Sequence, residues 1–235
     1  MSAEPKKKFD QPKGLPQVQV NGQPLKPITK AILDRRASQH FMDKPVPREY
    51  ITAILQLGLQ APSGYNLQPW RFIVVQDEAN RKRLQKAAMD QGKVGEAPVV
   101  IIAYAVRDEW RTHMHEIFVE GSNRGAGKEE QILEQEKNVD EFLGSFPAAT
   151  WLNRHTMIAY TTMVIAAEAY GLDTAPMEGF DPAAVKEEFE LPARSEVVAL
   201  LAIGFSQAPD RPYPGRMPLE EMVCAERYGQ PWEKE

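Results

Sequence analysis

Apolar residues follow two patterns along this chain, and their succession lays out a fold. Residues 99–106 and 197–205 are continuous apolar runs rich in β-branched side chains. Such runs mark central strands buried on both faces, because neither side of the pleat meets water. Residues 72–76 supply a third, shorter strand. Elsewhere the spacing is helical. Ile28, Ile32 and Leu33 open a helix that runs into Asp34-Arg35-Arg36, residues 37–47 cross to the next, and residues 48–60 repeat apolar side chains at Ile51, Ile54, Leu55, Leu57 and Leu59. Residues 78–89 predict an amphipathic helix full of Lys and Arg. A helical block then fills the space between the long apolar runs: residues 108–120, a glycine-rich break at 121–127, an acidic stretch at 129–142, and residues 151–170. The last is apolar on most sides, which predicts burial, in the core or at a subunit interface, and Gly171 is its stop signal.

The arrangement predicts one domain over residues 26–220, with no internal repeat and no linker. Residues 1–25, rich in Pro, Lys, Gln and Gly, read as a flexible tail or an arm lying over a neighbour. The chain has 235 residues, 43% of them hydrophobic, enough for a sizeable core. A net charge of -5 and a pI near 5.6 exclude a general nucleic-acid binder, which needs a basic surface. Cys224 is the only cysteine, so neither an intrachain disulfide nor a cysteine-based zinc cluster can form. The longest apolar run, residues 97–106, is far short of the ~20 residues that span a bilayer. Residues 1–8 lack the apolar stretch of a secretory signal. A soluble, cytoplasmic protein with no membrane contact is expected.

The densest chemistry lies in Ala61-Pro62-Ser63-Gly64-Tyr65-Asn66-Leu67-Gln68-Pro69-Trp70. Pro62, Ser63, Gly64 and Asn66 are turn formers, Asn66, Gln68 and the backbone amides can meet a planar polar ligand, and Pro69 keeps Gln68 extended. Read alone, the segment is equally a helix-to-strand turn with a core Trp. Arg35-Arg36 at a helix end, with Ser38 and Gln39 beyond, can bind a phosphate through the guanidinium fork, or can simply be solvated. Residues 171–181 read as a connection between two helices, with Pro176 and Gly179 as turn residues and Asp181 capping the next helix. Residues 212–220 read as a proline-rich crossover that gives Arg216 no evident task. His113 and His115, two apart, face different sides of a helix and predict no metal site. Residues 121–127 mimic a phosphate loop, but no strand precedes them and no Gly-Lys-Ser/Thr follows.

The run from Pro62 to Trp70 resembles the flavin-binding loop of the nitroreductase family, FMN-dependent oxidoreductases that reduce nitroaromatics and quinones, in which it reads Pro-Ser-small-x-Asn-x-Gln-Pro-Trp. Four further segments, in the same order as in the family, are similar. The family opens with Arg-Arg-Ser-x-Arg-x-Phe; Arg35, Arg36 and Phe41 match, while Ala37 and Gln39 replace a hydroxyl and a base that would serve the phosphate and ribityl chain. Trp151 and His155 match a Trp-x-x-x-Gln pattern, with His155 in the Gln position near the flavin pyrimidine. Pro176, Met177, Glu178 and Gly179 match the segment beside the isoalloxazine ring, whose backbone amide faces flavin N5. Arg216 and Pro218 match a Lys/Arg-x-Arg-x-Pro phosphate pattern, with Pro214 in place of its first base. Gln91 completes the flavin contacts expected from the resemblance.

The resemblance implies an α+β, nitroreductase-like fold: a central, mostly antiparallel sheet flanked by helices, in an intertwined homodimer. Residues 221–235 would be a C-terminal arm packing on the partner, and one noncovalent FMN would lie at each interface. It also implies hydride transfer from NAD(P)H through flavin N5 to a small acceptor by a ping-pong cycle, with Glu178 and Gly179 as the catalytic backbone. Residues 108–127 are the expected substrate lid. Reductive dehalogenation, flavin fragmentation, azoline oxidation and flavin storage without turnover remain open alternatives on the same scaffold.

Overall fold

A computed structural model describes residues 11–207 and 212–232. Its strands are β1 (Trp70–Val75), β2 (Val99–Val106), β3 (Asp173–Met177) and β4 (Ser195–Gly204). Its helices are α1 (Ile28–Asp34), α2 (Arg48–Gly58), α3 (Glu78–Ala87), α4 (Gly92–Glu96), α5 (Arg111–Asn123), α6 (Ile132–Gly144), α7 (Ala148–Ala169), α8 (Pro182–Glu188) and α9 (Leu219–Met222), with single 3-10 turns at Gly64–Asn66 and Glu129–Gln131. The strands form one sheet in the order β1-β2-β4-β3, every pair antiparallel.

The two apolar runs occupy the centre of that sheet, as their composition requires. Val99, Ile101 and Ala103 of β2 join Ala199, Leu201 and Ile203 of β4 in a core shared with α2 and α7. Val100, Ile102, Leu200 and Ala202 face the other way, against Leu84 of α3, Val94 of α4 and Val185 of α8. All ten are essentially inaccessible. Each large aliphatic side chain so buried contributes about 1.5 to 3 kcal/mol, enough to make this helix–sheet–helix sandwich the stable frame of the molecule. A third cluster joins Trp110, Ile117 and Phe118 to Ile132, Val139 and Leu143, packing α5 against α6, and reaches Leu67 and Leu152. Among the described residues, no helix is long and apolar enough to cross a membrane.

Two features depart from the sequence-based expectation. The connection expected over residues 171–181 contains an edge strand, β3, and is not a plain link between helices. Its sequence, Asp-Thr-Ala-Pro-Met, has no apolar alternation. Pro176 is tolerated because the outer edge of an edge strand needs no N–H from it. The second feature is the N-terminal segment, of which residues 1–10 lie outside the described residues. A bridge between Val18 and Pro24 closes a turn, and Val20 N and Lys26 N donate to the Tyr170 and Ala169 carbonyls at 3.0 and 3.1 Å. Those are carbonyls that a helix C-terminus leaves orphaned. Gly171 completes the stop signal: at φ 75° it donates to Glu168 O while Leu172 N donates to Ala167 O, the paired bonds of a Schellman ending. Glu168, buried near this end, is held by the Lys26 ammonium.

The seam between α2 and α7 supplies a stability prediction. A Cβ on Gly58 would lie 2.4 Å from Met163 Cγ and 3.3 Å from the Ala159 carbonyl oxygen. Ala is the better helix former by about 1 kcal/mol. Overpacking a filled seam costs about 1 to 3 kcal/mol, so Gly58→Ala is expected to destabilise despite its propensity gain. Urea unfolding measures the sign; a variant as stable as the parent contradicts the packing argument.

Candidate functional site

The loop between α2 and β1 is held open by unusual backbone geometry. Tyr65, Asn66 and Gln68 all have positive φ (55°, 58° and 47°), a conformation uncommon for residues other than glycine, so Gln68 is not extended before Pro69 as its sequence context predicts. Such strain persists only where the surroundings over-determine it. Here the Ser63 hydroxyl accepts from Gln68 N at 3.0 Å, the Ser63 carbonyl accepts from Asn66 N at 3.0 Å, and Leu67 and Trp70 plug the loop into the core. The result exposes Pro62 and Asn66 and leaves Ser63, Gly64 and Gln68 half-exposed on one rim.

His155 lies under this rim. Its Nδ1 accepts from Gly64 N at 3.4 Å, and its ring packs 4.6 Å from Trp151. Burial first, and the Arg154 charge second, pull the imidazole below its ordinary value, so it serves as a neutral acceptor. A side chain on Gly64 would meet the imidazole and the Trp151 indole at 3.3 and 3.5 Å, so the close approach suits glycine. Tyr65 faces Phe142, which faces Phe146, both in edge-on contact. These two phenylalanines lie outside the expected lid, residues 108–127. From that stretch Ile117, Phe118, Gly121, Ala126 and Gly127 line a cavity of about 240 Å³ with Tyr65 and Asn66.

A second group assembles at the end of β3. Met177 and Phe180 are buried, and between them Glu178 and Gly179 stand exposed with N–H groups that make no hydrogen bond among the described residues. Pro176 is half-buried beside them. Asp181 then caps α8, accepting from Ala183 N at 2.8 Å, with Pro182 as its first residue. Gln91 reaches this crest and donates to Gly179 O at 2.6 Å.

The arginines are carried to the same edge. Ala37 forms a parallel bridge with Thr174 of β3, and Ser38 N donates to Thr174 O at 2.9 Å, laying the strip after α1 along the sheet; Gln39 follows, half-buried. Arg36 donates to the Leu33 and Arg35 carbonyls and stacks on the Tyr213 ring at 5.0 Å, while Arg216 stands 5.6 Å from the same ring. Among the described residues, no ion pair engages Arg35, Arg36 or Arg216. Arg35 and Glu178 both act on the buried phenol of Tyr160, which burial above all pushes well above its ordinary range. The Ala37–Thr174 bridge sets the strip after Arg35 beside β3, the strand that ends at the crest.

The structure thus gathers the sequence-derived residues into two groups. Pro62, Ser63, Gly64, Asn66, Gln68 and His155 form one; Arg35, Arg36, Ala37, Gln39, Gln91, Pro176, Met177, Glu178, Gly179 and Arg216 belong to the β3 edge. Helix α7 serves both, through His155 and, five residues on and about 140° around the helix, Tyr160. Sequence reasoning missed Tyr160 and Tyr213. A Tyr in an apolar helix and a Tyr between prolines carry no local signal of their partners.

Comparison with known proteins gives this arrangement its context. The model of the Nitroreductase family matches residues 32–205. A Thermus thermophilus protein named NADH dehydrogenase is 35% identical over 204 residues, which cover 85% of this chain and 96% of its own. The crystal structure of a nitroreductase family protein from Streptococcus pneumoniae matches with a TM-score of 0.72 and 25% identity, covering 84% of this chain and 98% of that one. A structure from Exiguobacterium sibiricum, solved in complex with FMN, has a TM-score of 0.77 at 23% identity over 86% of this chain and 98% of its own, a likeness of fold. With the family model running from α1 to just past β4, and a relative sharing about a third of its residues over nearly the full length of both, this chain belongs to the nitroreductase family.

Proposed function

We propose that this chain is an FMN-dependent oxidoreductase that passes electrons from NAD(P)H to a small oxidised acceptor such as a nitroaromatic or quinone. The observation that carries the reading is the exposed Glu178–Gly179 crest, whose two N–H groups make no hydrogen bond among the described residues, at the edge that carries Arg35, Arg36 and Arg216, which form no ion pair among those residues. The residues fit the cofactor. Guanidinium groups gathered around Tyr213 suit a phosphate dianion, and free backbone donors suit an electron-rich ring nitrogen. Bound FMN would supply reversible hydride acceptance, which no side chain of this chain can perform.

The chain's own share is placement and polarity. The crest amides would stabilise negative charge without a titrating group, since a backbone N–H keeps its proton at every working pH. Pro176 and Met177 would pack against one ring face. The Ser63–Gln68 rim and neutral His155 would supply polar contacts to the pyrimidine side, and the α5–α6 hairpin with Phe142 and Phe146 would close over the acceptor. Donor and acceptor would use one cleft in turn, giving ping-pong kinetics. The loss of a hydroxyl at Ala37 and of a charge at Gln39 leaves more of the phosphate binding to Arg36 and Arg216.

We read the working unit as a homodimer, with the β3-edge group of one subunit and the loop group of the other around each flavin. Large apolar side chains of the C-terminal segment, Met217, Leu219, Met222, Tyr228 and Trp232, are exposed on the single chain. A groove of about 460 Å³ lined by Leu55, Leu59, Leu67, Trp70 and Phe72 opens beside edge strand β1. An arm from a second copy would cover such surfaces, and an uncovered apolar face is costly in water. The single cysteine, exposed Cys224, accords with work in a reducing cytoplasm.

Purified protein is expected to be yellow with noncovalent FMN and to oxidise NADH or NADPH when a nitroaromatic or quinone is added; colourless protein that takes up no added FMN contradicts the reading. Arg216→Ala and Tyr213→Ala are each expected to weaken FMN binding about tenfold, the scale of one lost charge-assisted contact. Fluorescence titration measures this, with Arg83→Ala on α3 as a control that retains parental affinity.

A further inference from the structure

Glu178 and Gly179 are exposed, yet the crest they form is clamped on both sides. Upstream, Met177 is the last residue of β3 and pairs with Leu200 of β4. The hydroxyl of Tyr160, a buried residue of α7, donates to the Leu200 carbonyl at 2.8 Å. The Met177 amide faces the same phenol oxygen. One hydroxyl therefore ties α7 to both strands at the point where the chain leaves the sheet. Kept neutral by burial, it remains a donor across the ordinary pH range.

Downstream, the Gln91 carboxamide donates to Gly179 O at 2.6 Å and to Ala88 O at 3.1 Å, which occupies both of its hydrogens. Phe180 N returns to Glu178 O at 3.1 Å, and Asp181 N donates to Ala87 O at 2.8 Å, anchoring the descending chain to the end of α3. A peptide unit is planar, so Gln91 on the Gly179 carbonyl sets the Phe180 N–H in the same plane, and the bond of that N–H to Glu178 O in turn sets the plane that carries the Gly179 N–H. A Cβ on Gly179 would sit 3.2 Å from Gln91 Nε2, so glycine permits the close approach.

We propose that Tyr160 and Gln91 are positioning residues that aim the Glu178 and Gly179 N–H groups: Tyr160 through its bond to Leu200 O opposite Met177, Gln91 through its bond to Gly179 O. The backbone clamp stands on this chain's contacts alone. Only its redox consequence rests on the flavin reading above. Amides held in one direction set the stabilisation of charge on a bound flavin, and amides free to turn lose part of it.

Two near-isosteric variants test the clamp. Tyr160→Phe removes only the hydroxyl, and Gln91→Glu replaces the donating NH2 by an oxygen that repels Gly179 O. Hydrogen–deuterium exchange on the full-length protein, loaded with FMN, is read on peptides spanning residues 177–181, with FMN stoichiometry and the flavin midpoint potential measured on the same samples. At the amides of Met177, Phe180 and Asp181, which are engaged in the parent, each variant is expected to exchange about tenfold faster, the scale of one lost hydrogen bond, and to keep its FMN with a displaced midpoint potential. Unchanged exchange and potential in both variants overturn the proposal. If Tyr160→Phe does not fold, Gln91→Glu at the solvent edge decides alone. If wild-type protein takes up no flavin, faster exchange still supports the clamp, while the missing flavin counts against the function proposed above.

Discussion

The packing of α7 across the buried β2–β4 pair is the constraint on which the rest of this structure depends. That helix meets the sheet through side chains with no water contact, Ala159, Met163 and Ala167 among them, and its termination is enforced by Gly171 and by the N-terminal turn bonded to its last carbonyls. Once the helix is fixed, both groups of polar residues are fixed with it. His155 supports the strained loop at Gly64, and Tyr160 fastens the ends of β3 and β4. Shifting α7 by one turn would carry the two tyrosine and histidine contacts away together, which ties the integrity of the site to that of the core.

The chemistry asked of the site explains why so little of it looks catalytic. Electron transfer through a flavin needs no nucleophile and no titrating acid; it needs oriented donors, an anion anchor and exclusion of competing reactions. Exposed backbone amides, three guanidinium groups outside any ion pair among the described residues, and an apolar groove would suit such a task. At Ala37 and Gln39 the chain departs from the pattern it resembles, and the stacking of Arg36 and Arg216 on Tyr213 is a local feature that would support a phosphate anchor despite that loss.

The sequence displayed the frame more clearly than the joints. β2 and β4 were legible because a strand buried on both faces must be apolar throughout, and α7 because a buried helix must be apolar around most of its circumference. The Asp181 cap and the Gly171 stop were legible because they satisfy neighbouring backbone groups. β3 was not legible: Thr174 and Pro176 make a strand only because β4 and the Ala37 strip lie alongside. Tyr160, Tyr213 and the capping turn at residues 18–26 were hidden for the same reason, since their partners are distant in sequence. The loop at residues 62–70 was visible as a motif, and the resemblance already implied that it serves the flavin of the other subunit, while its hold on His155 emerged only from the fold.

We propose that each site is completed by a second copy of the chain. Mixed dimers test it directly. One variant disables the β3-edge group (Arg35→Ala with Arg216→Ala) and the other disables the loop group (Ser63→Val with Asn66→Val), so that neither homodimer turns over. If the two groups meet across the interface, random co-assembly creates one intact site per mixed dimer, and about a quarter of wild-type activity returns. Mixtures that stay inactive after mixed dimers have been demonstrated by mass spectrometry would contradict the shared site.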